Sequence, residues 1–222
     1  MFVRNYMTHD PACVSPDDNF TQALHVLRKQ GVRHLPVIEN DCLVGVVVEK
    51  DLLSNQPSQA TTLSLYEIYS LLESLLVRQI MSRPAITVAG DCPLEEAARI
   101  MVEHQISCLP VMDDDKLVGI ITETDIFKAL VELLGGEAEG VRFVLRTTDK
   151  VGQLAKLVSR IADAGGNILA VTNSKVLDDC CREVMIKETG AKRSALLFIE
   201  EEEDVKVVDV RPTSRYEPRL FG

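Results

Sequence analysis

The sequence predicts an α+β chain of three units, two tandem β-α-β-β-α repeats followed by a β-α-β-β-α-β unit. Three observations lead there. A gapless repeat with an offset of 74 positions runs through the first 130 residues. A glycine-rich cluster, Gly135-Gly136-Glu137-Ala138-Glu139-Gly140, then breaks the chain. Beyond it, strand and helix patterns alternate once more.

The repeat brings Met7 onto Met81, Val14 onto Val88, Asp17 onto Asp91 and Ala23 onto Ala97. It continues through Leu35-Pro36-Val37 on Leu109-Pro110-Val111 and Leu43-Val44-Gly45 on Leu117-Val118-Gly119. It closes with Glu49 on Glu123 and Asp51 on Asp125. Each copy starts with a short β-favouring stretch, Ala12 to Ser15 and Ala85 to Ala89. Phe20, Ala23, Leu24 and Leu27 then mark one helical face, matched by Leu94, Ala97, Ala98 and Met101. Arg33 to Ile38 and Ser107 to Met112 read as strands. Polar turns lead from them into second strands, Leu43 to Val48 and Leu117 to Thr122, and a short helix begins at each following Asp.

Residues 1–53 form the first repeat in this reading and 77–134 the second, with a linker at 54–76. Within the linker, Leu63, Tyr66, Ile68, Tyr69, Leu72 and Leu76 suggest an amphipathic helix, read as a packing element or a dimer contact. Residues 135–140 are a joint and 141–210 the third unit. There Val141 to Arg146 alternates as a strand, and Leu154, Leu157, Val158 and Ile161 share a helix face. Asn167 to Asn173 and Glu183 to Glu188 read as strands, followed by a helix from about Ala191 to Glu203 and a last strand, Val205 to Val210. Residues 211–222 read as a tail.

Composition narrows the function. Of 222 residues, 46% are hydrophobic and 26% charged, a globular balance, and the net charge is −10. Nucleic-acid binding needs a basic face, so no nucleic-acid partner is expected. No apolar run reaches the ~18 residues of a membrane span and no signal peptide opens the chain, which sets the expectation of a cytoplasmic protein without a membrane partner. Cysteines at 13, 42, 92, 108, 180 and 181 form no CxxC pair, so no metal and only reduced thiols are expected. No nucleophile, metal-protease or phosphate-loop motif occurs. His9, His25, His34 and His104 lack ligand spacing, and Asp113-Asp114-Asp115 sits where a hairpin turn favours Asp. No enzyme is visible, and no cofactor is called for.

The doubled LPV strands, the Met-Thr and Met-Ser openings, Gly45-Val46-Val47-Val48-Glu49-Lys50-Asp51 and Gly119-Ile120-Ile121-Thr122-Glu123-Thr124-Asp125 resemble a pair of CBS domains, a Bateman module. The resemblance covers about residues 1–134. Asp149-Lys150-Val151-Gly152-Gln153-Leu154 and Ala164-Gly165-Gly166-Asn167-Ile168 resemble an ACT domain, which implies a ferredoxin-like fold for 141–210. Val151 departs from the proline usual there. The whole order resembles the acetoin utilization (AcuB) family.

The CBS resemblance implies an adenosine-containing regulatory ligand: AMP, ADP, ATP or S-adenosylmethionine. Its [ST]-x-x-D pattern assigns the ribose to Asp125, with Asp51 as the counterpart, and a phosphate donor to Thr122. Val48 stands where Thr122 does and offers no hydroxyl. By the same resemblance Arg33, His34 and Lys50 face phosphate, while Thr87, Val88, Ile106 and Pro110 enclose adenine. Residues 77–134 hold five bases against ten acids, so AMP or S-adenosylmethionine is easier to accommodate than a triphosphate. The ACT resemblance places an amino acid at Thr147, Asp149, Gly152 and Asn167. Together these imply a non-catalytic regulator, a homodimer, that responds to a small-molecule effector and passes the signal to a partner enzyme in acetoin or acetate metabolism. The alternative is a dimerisation scaffold without nucleotide sensing.

Overall fold

A computed structural model describes residues 1–55, 64–178, 181–191 and 204–213. The chain divides into two compact units, Met1–Phe127 and Lys128–Gly222. The cut falls inside a helix, upstream of the glycine cluster. The helix expected from Ala191 to Glu203 lies outside the described residues, apart from Ala191.

In the first unit each repeat builds its own sheet core. Repeat 1 contributes α1 (Phe20–Gln30), β2 (His34–Glu39), β3 (Cys42–Val48) and α2 (Glu49–Ser54), after β1 (Thr8–His9) at the chain start. α3 (Leu65–Ser74) and α4 (Val77–Ile80) follow. Repeat 2 contributes β4 (Val88–Ala89), α5 (Leu94–His104), β5 (Cys108–Asp113), β6 (Lys116–Thr122) and α6 (Glu123–Leu133). The hairpins β2–β3 and β5–β6 have the same register, His34 facing Val48 and Cys108 facing Thr122. In repeat 1 Val14, Phe20, Ala23, Leu27, Leu35, Val37 and Val47 pack as one cluster. Their counterparts Val88, Leu94, Ala97, Met101, Leu109, Val111 and Ile121 are buried too. The apolar spacing repeated because each copy needs one buried helix stripe against one sheet face.

The openings of the repeats are exchanged. Thr8 and His9 pair with Ile120 and Gly119 of repeat 2, while Ser82 bridges Val46 of repeat 1. The segments just before them follow suit. Val3 donates its amide to Cys92 of repeat 2, and Val77 donates to Asp18 of repeat 1. Both valines are 0% exposed, so each closes the other repeat's core.

Two glycines make the exchange possible. A Cβ on Gly119 would lie 2.6 Å from the Met7 sulfur and 2.9 Å from the Thr8 carbonyl oxygen. On Gly45 it would lie 2.8 Å from both the Met81 sulfur and the Ser82 carbonyl oxygen. Only a residue without a side chain lets the crossing strand come this close.

Helix ends differ between the copies. α1 starts with a capping box: Asn19 Oδ1 accepts from the Gln22 amide at 2.9 Å and Gln22 Oε1 accepts from the Asn19 amide at 2.8 Å. It ends at Gly31, φ +65°. α5 ends instead at Gln105 in the left-handed region, φ +55°, which costs a residue with a Cβ about 1 kcal/mol relative to glycine. The insert helix α3 carries a full capping box between Ser64 and Glu67. Its Leu72 packs on the first core, whereas Tyr66 and Tyr69 are 82% and 65% exposed.

The second unit is a four-stranded antiparallel sheet in the order β10-β7-β9-β8 with one described helix. Its elements are β7 (Gly140–Thr148), α7 (Gln153–Asp163), β8 (Asn167–Asp178), β9 (Cys181–Thr189) and β10 (Val205–Thr213). Phe143, Leu145, Leu157, Ile161, Val184, Ile186 and Val205 form its core. Arg211 to Thr213, read from sequence as the start of a tail, extend β10: they pair with Arg142, Val141 and Gly140, and Thr213 donates its hydroxyl to the Gly140 carbonyl. The alternation of β7 gives that edge enough backbone partners to carry the strand further. Lys187 is 4% exposed and donates to the Gly135 carbonyl at 2.6 Å, just past the C-terminus of α6, where a cation is favoured. Glu188, 1% exposed, accepts from the Ala191 amide at 3.0 Å.

Candidate functional site

The first unit contains two neighbouring cavities where the repeats face each other. The larger, about 500 Å³, is lined by Val46, Val48, Lys50 and Asp51 of repeat 1 and by Ser82 to Ile86, Gln105 to Cys108 and Glu123. The smaller, about 330 Å³, is lined by Arg33, His34, Val48, Glu49, Lys50 and Leu53, and by Ser107, Thr122, Glu123 and Thr124. Val48, Lys50, Ser107 and Glu123 belong to both walls. Each cavity mixes charges: the larger sets Lys50 and Arg83 with Asp51 and Glu123 among apolar side chains, and the smaller sets Arg33, Lys50 and His34 with Glu49 and Glu123.

The fold explains the gathering. The chain enters β2 at the cleft, with Arg33 just before the strand and His34 its first residue, and β3 delivers Glu49 and Lys50 at the start of α2. Across the cleft, β5 and α6 deliver Ser107 and Glu123 to Thr124 by the same geometry. Cross-repeat hydrogen bonds tie the sides together: His34 Nε2 lies 2.8 Å from Ser107 Oγ, and an Arg33 guanidinium nitrogen donates to Thr124 Oγ1 at 3.2 Å. Burial, then the neighbouring Arg33 charge, hold the His34 pKa below its ordinary value, and the carboxylates of Glu123, Asp125 and Glu49 oppose this. On the far wall burial, helped by Glu123 and Asp51, pushes the Cys108 thiol up to about 12. That thiol is therefore protonated at neutral pH and is a poor nucleophile.

The structure distributes the sequence-derived candidates unevenly. Arg33, His34, Lys50 and Thr122 meet at the smaller cavity. Ile106 lines the larger one, beside Asp51 rather than Asp125. Asp125 lines neither of these two cavities: its Oδ2 accepts from the Thr122 amide at 3.0 Å and from the Thr122 hydroxyl at 2.8 Å. Asp51 has no such hydroxyl partner, because the N-cap of α2 is Val48, which makes no side-chain cap hydrogen bond. Thr87 is exposed, while Val88 and Pro110 are buried in the β4–β5–β6 sheet, where they pair with Val111 and Ile120; none lines either cavity. Ser107, Thr124, Arg83 and Ala85 were not singled out by sequence. Ser107 and Thr124 are the repeat counterparts of Arg33 and Lys50, but as small uncharged side chains they give no charge signal for an anion.

In the second unit Thr147 is 3% exposed, and its hydroxyl donates to the Asp204 carbonyl and accepts from Gln153. Asp149 pairs with Arg182 at 2.7 Å. Gly152 caps α7 at φ +87° with open space where a side chain would stand. Asn167 pairs with Thr189 at the end of the sheet where Val141 faces Glu188, whereas Thr147 faces Arg182 at the other end. One chain does not bring Asn167 to Asp149: on β9 eight positions of ~3.3 Å each separate Thr189, the partner of Asn167, from Cys181, the partner of Thr148 next to Asp149. Among the described residues no group of three His, Cys, Asp or Glu is placed to hold a metal, and no helix is long and apolar enough to cross a membrane.

Solved structures resemble this chain over about three-fifths of its length. A protein described as a putative acetoin utilization protein (AcuB) from Vibrio cholerae is 32% identical, covering 63% of this chain and 98% of its own, with a TM-score of 0.50. CBSX2, a CBS-pair protein of Arabidopsis thaliana, was solved in complex with AMP; that structure is 30% identical, covers 59% of this chain and 96% of its own, and has a TM-score of 0.50. The CBS domain pair of MJ0100, in complex with 5-methylthioadenosine and S-adenosyl-L-methionine, is 25% identical, covers 62% of this chain and 98% of its own, and has a TM-score of 0.50. Among curated sequences, the chain spans 23% and 55% of the lengths of two relatives it matches at 32% identity. The CBS domain family matches residues 3–58 and 77–132, half of the chain and both copies of the internal repeat. This chain, with its paired hairpins and exchanged openings, belongs to the CBS domain family.

Proposed function

We propose that the CBS pair is a regulatory, non-catalytic module that binds an adenosine-containing ligand in the cleft between its repeats. The observation that carries this reading is the pairing of two cavities that share a wall: one where Ala85, Ile86 and Ile106 stand with the uncapped Asp51, and one bearing Arg33, His34 and Lys50, with Lys50 on both walls. A ribose diol offers two hydroxyl donors to Asp51, the base packs against Ala85, Ile86 and Ile106, and an anionic group faces the cations. Neighbours solved with AMP and with S-adenosyl-L-methionine support the ligand class. Arg33 and Lys50 share the smaller cavity with His34 and with the carboxylates of Glu49 and Glu123, which disfavour a long polyphosphate. AMP is therefore the first choice.

The second unit acts as an ACT domain in this proposal. Its sheet order β10-β7-β9-β8 supports the β-α-β-β-α-β reading, as do Gly152 at the strand-to-helix turn and Asn167 after the helix. Because Asp149 and Asn167 lie at opposite ends of one sheet, an amino-acid site using both needs two chains, which accords with a homodimer. A partner enzyme in acetoin or acetate metabolism and a cytoplasmic location rest on the AcuB resemblance.

Calorimetric titration of the full chain with AMP, ATP and S-adenosylmethionine, on wild type and Asp51→Ala, tests the reading. Saturating AMP should bind wild type and stabilise it by about 2.7 kcal/mol at a hundredfold excess over Kd. Asp51→Ala should weaken binding at least about tenfold, through loss of charge-assisted hydrogen bonds of ~1.5–3 kcal/mol. Absence of binding by all three ligands would favour the scaffold alternative.

A further inference from the structure

We propose that a phosphate-bearing ligand is bound in this cleft together with a proton taken up at His34, so that the module reads the ligand and the pH jointly. The inference rests on the ligand reading above and adds a second chemical input to it.

His34 is placed for this role by both repeats. Its backbone opens β2 opposite Val48, and its ring lines the 330 Å³ cavity with Arg33 and Lys50. One ring nitrogen, Nε2, is engaged by Ser107 of the other repeat at 2.8 Å. A serine hydroxyl can donate to that nitrogen or accept from it, so the contact survives either protonation state of the ring. The groups around the ring come from four elements. Arg33 immediately precedes β2, Glu49 and Lys50 come from α2, Ser107 immediately precedes β5, which Cys108 opens, and Glu123 and Asp125 come from α6.

In the unliganded chain half-burial and Arg33 together favour the neutral ring, and the three carboxylates do not reverse that balance. A phosphate dianion beside Arg33 and Lys50 changes the sign of the local field. It cancels the repulsion from Arg33 and adds an attractive partner, so the protonated ring becomes the favoured form. Linkage then requires that ligand affinity rise as pH falls through the ring's bound-state pKa, by at most about tenfold per pH unit for one proton. A ligand without phosphate gives the ring no such partner and shows no linkage. Above pH 7 a phosphate monoester is already close to its dianion, its second pKa being ~6, so its own titration contributes little there.

The test is calorimetry of the full chain with AMP at pH 7.5 in two buffers of different ionisation enthalpy, repeated with adenosine. A buffer-dependent heat corresponding to net proton uptake with AMP, absent with adenosine, is expected. From pH 7.0 to 8.5 the AMP Kd should rise about threefold or more. His34→Gln should bind AMP more weakly and with no proton uptake. Equal heats in both buffers for wild type, proton uptake that persists in His34→Gln, or uptake of the same size with adenosine would each overturn the proposal and leave the ligand reading standing. Binding of S-adenosylmethionine alone would also overturn it while sparing that reading, and failure of all adenosine ligands would end both. If His34→Gln does not fold, the wild-type comparison of AMP with adenosine decides by itself.

Discussion

At the cleft, repeat 1 enters α2 through Val48, and Asp51 is left facing the larger cavity; repeat 2 enters α6 through Thr122, whose amide and hydroxyl both donate to Asp125. The two aspartates occupy the same position in the repeat and stand in opposite states. A hydroxyl three residues before a carboxylate satisfies it locally, as an N-terminal cap does, and a methyl group cannot. The residue that makes repeat 2 look like the better ligand site in sequence is thus the one that occupies its carboxylate in the folded chain. Elsewhere the copies agree closely: same hairpin register, same buried positions, the same glycine under the crossing strand.

That comparison is open to direct tests. The largest effects should come from the shared core: Leu27→Ala and its counterpart Met101→Ala should each cost about 2–5 kcal/mol in urea denaturation. A much smaller cost in one of them would mean that the repeats do not share one packing. Next, Gly45→Ala and Gly119→Ala should each destabilise by roughly 1–3 kcal/mol, because the added Cβ meets a methionine sulfur and a backbone carbonyl that must both move. The two glycine variants should be alike, and a harmless one would argue against the exchange of openings on that side.

Smaller but more informative is Val48→Thr. Giving repeat 1 the hydroxyl of repeat 2 should cap Asp51, raise stability slightly and weaken AMP binding by a factor that corresponds to about 1 kcal/mol. Tighter AMP binding in this variant would instead make the hydroxyl a ligand donor and restore Asp125 and Thr122 as the principal pair. The smallest effect is expected from Gln105→Gly, which copies Gly31 into α5 and removes a left-handed residue bearing a Cβ. A gain of about 0.5–1 kcal/mol in unfolding free energy is expected; a loss would show that the Gln105 side chain at the larger cavity contributes packing there.

Most of the first unit was legible because its signals are local. The helix stripe of Phe20, Ala23 and Leu27 and the Leu35-Pro36-Val37 strand recur at a fixed offset, and burial of one face leaves that spacing in any sequence that folds this way. The exchange of openings was not legible: Thr8 and Ser82 carry no mark saying which sheet edge they join, since strand pairing depends on which edge is free and near. Gly45 and Gly119 were visible as parts of a motif, but their reason, a methionine and a carbonyl crossing from the other repeat, is tertiary. The candidate cations Arg33, His34 and Lys50 came from the resemblance to CBS pairs, which implies a phosphate between the repeats. Their partners Ser107 and Thr124 were missed because small hydroxyl residues are common everywhere.

By itself the sequence determined the repeat, the secondary-structure order and core positions of its two copies, and the acidic net charge, all of which follow from periodicity and composition. Only the tertiary structure decided which repeat closes which core, that Ile106 stands with Asp51, and that Asp125 is held by Thr122. Those outcomes depend on groups distant in sequence or on competition between a local cap and a cavity, and neither is encoded in the spacing of residues along the chain.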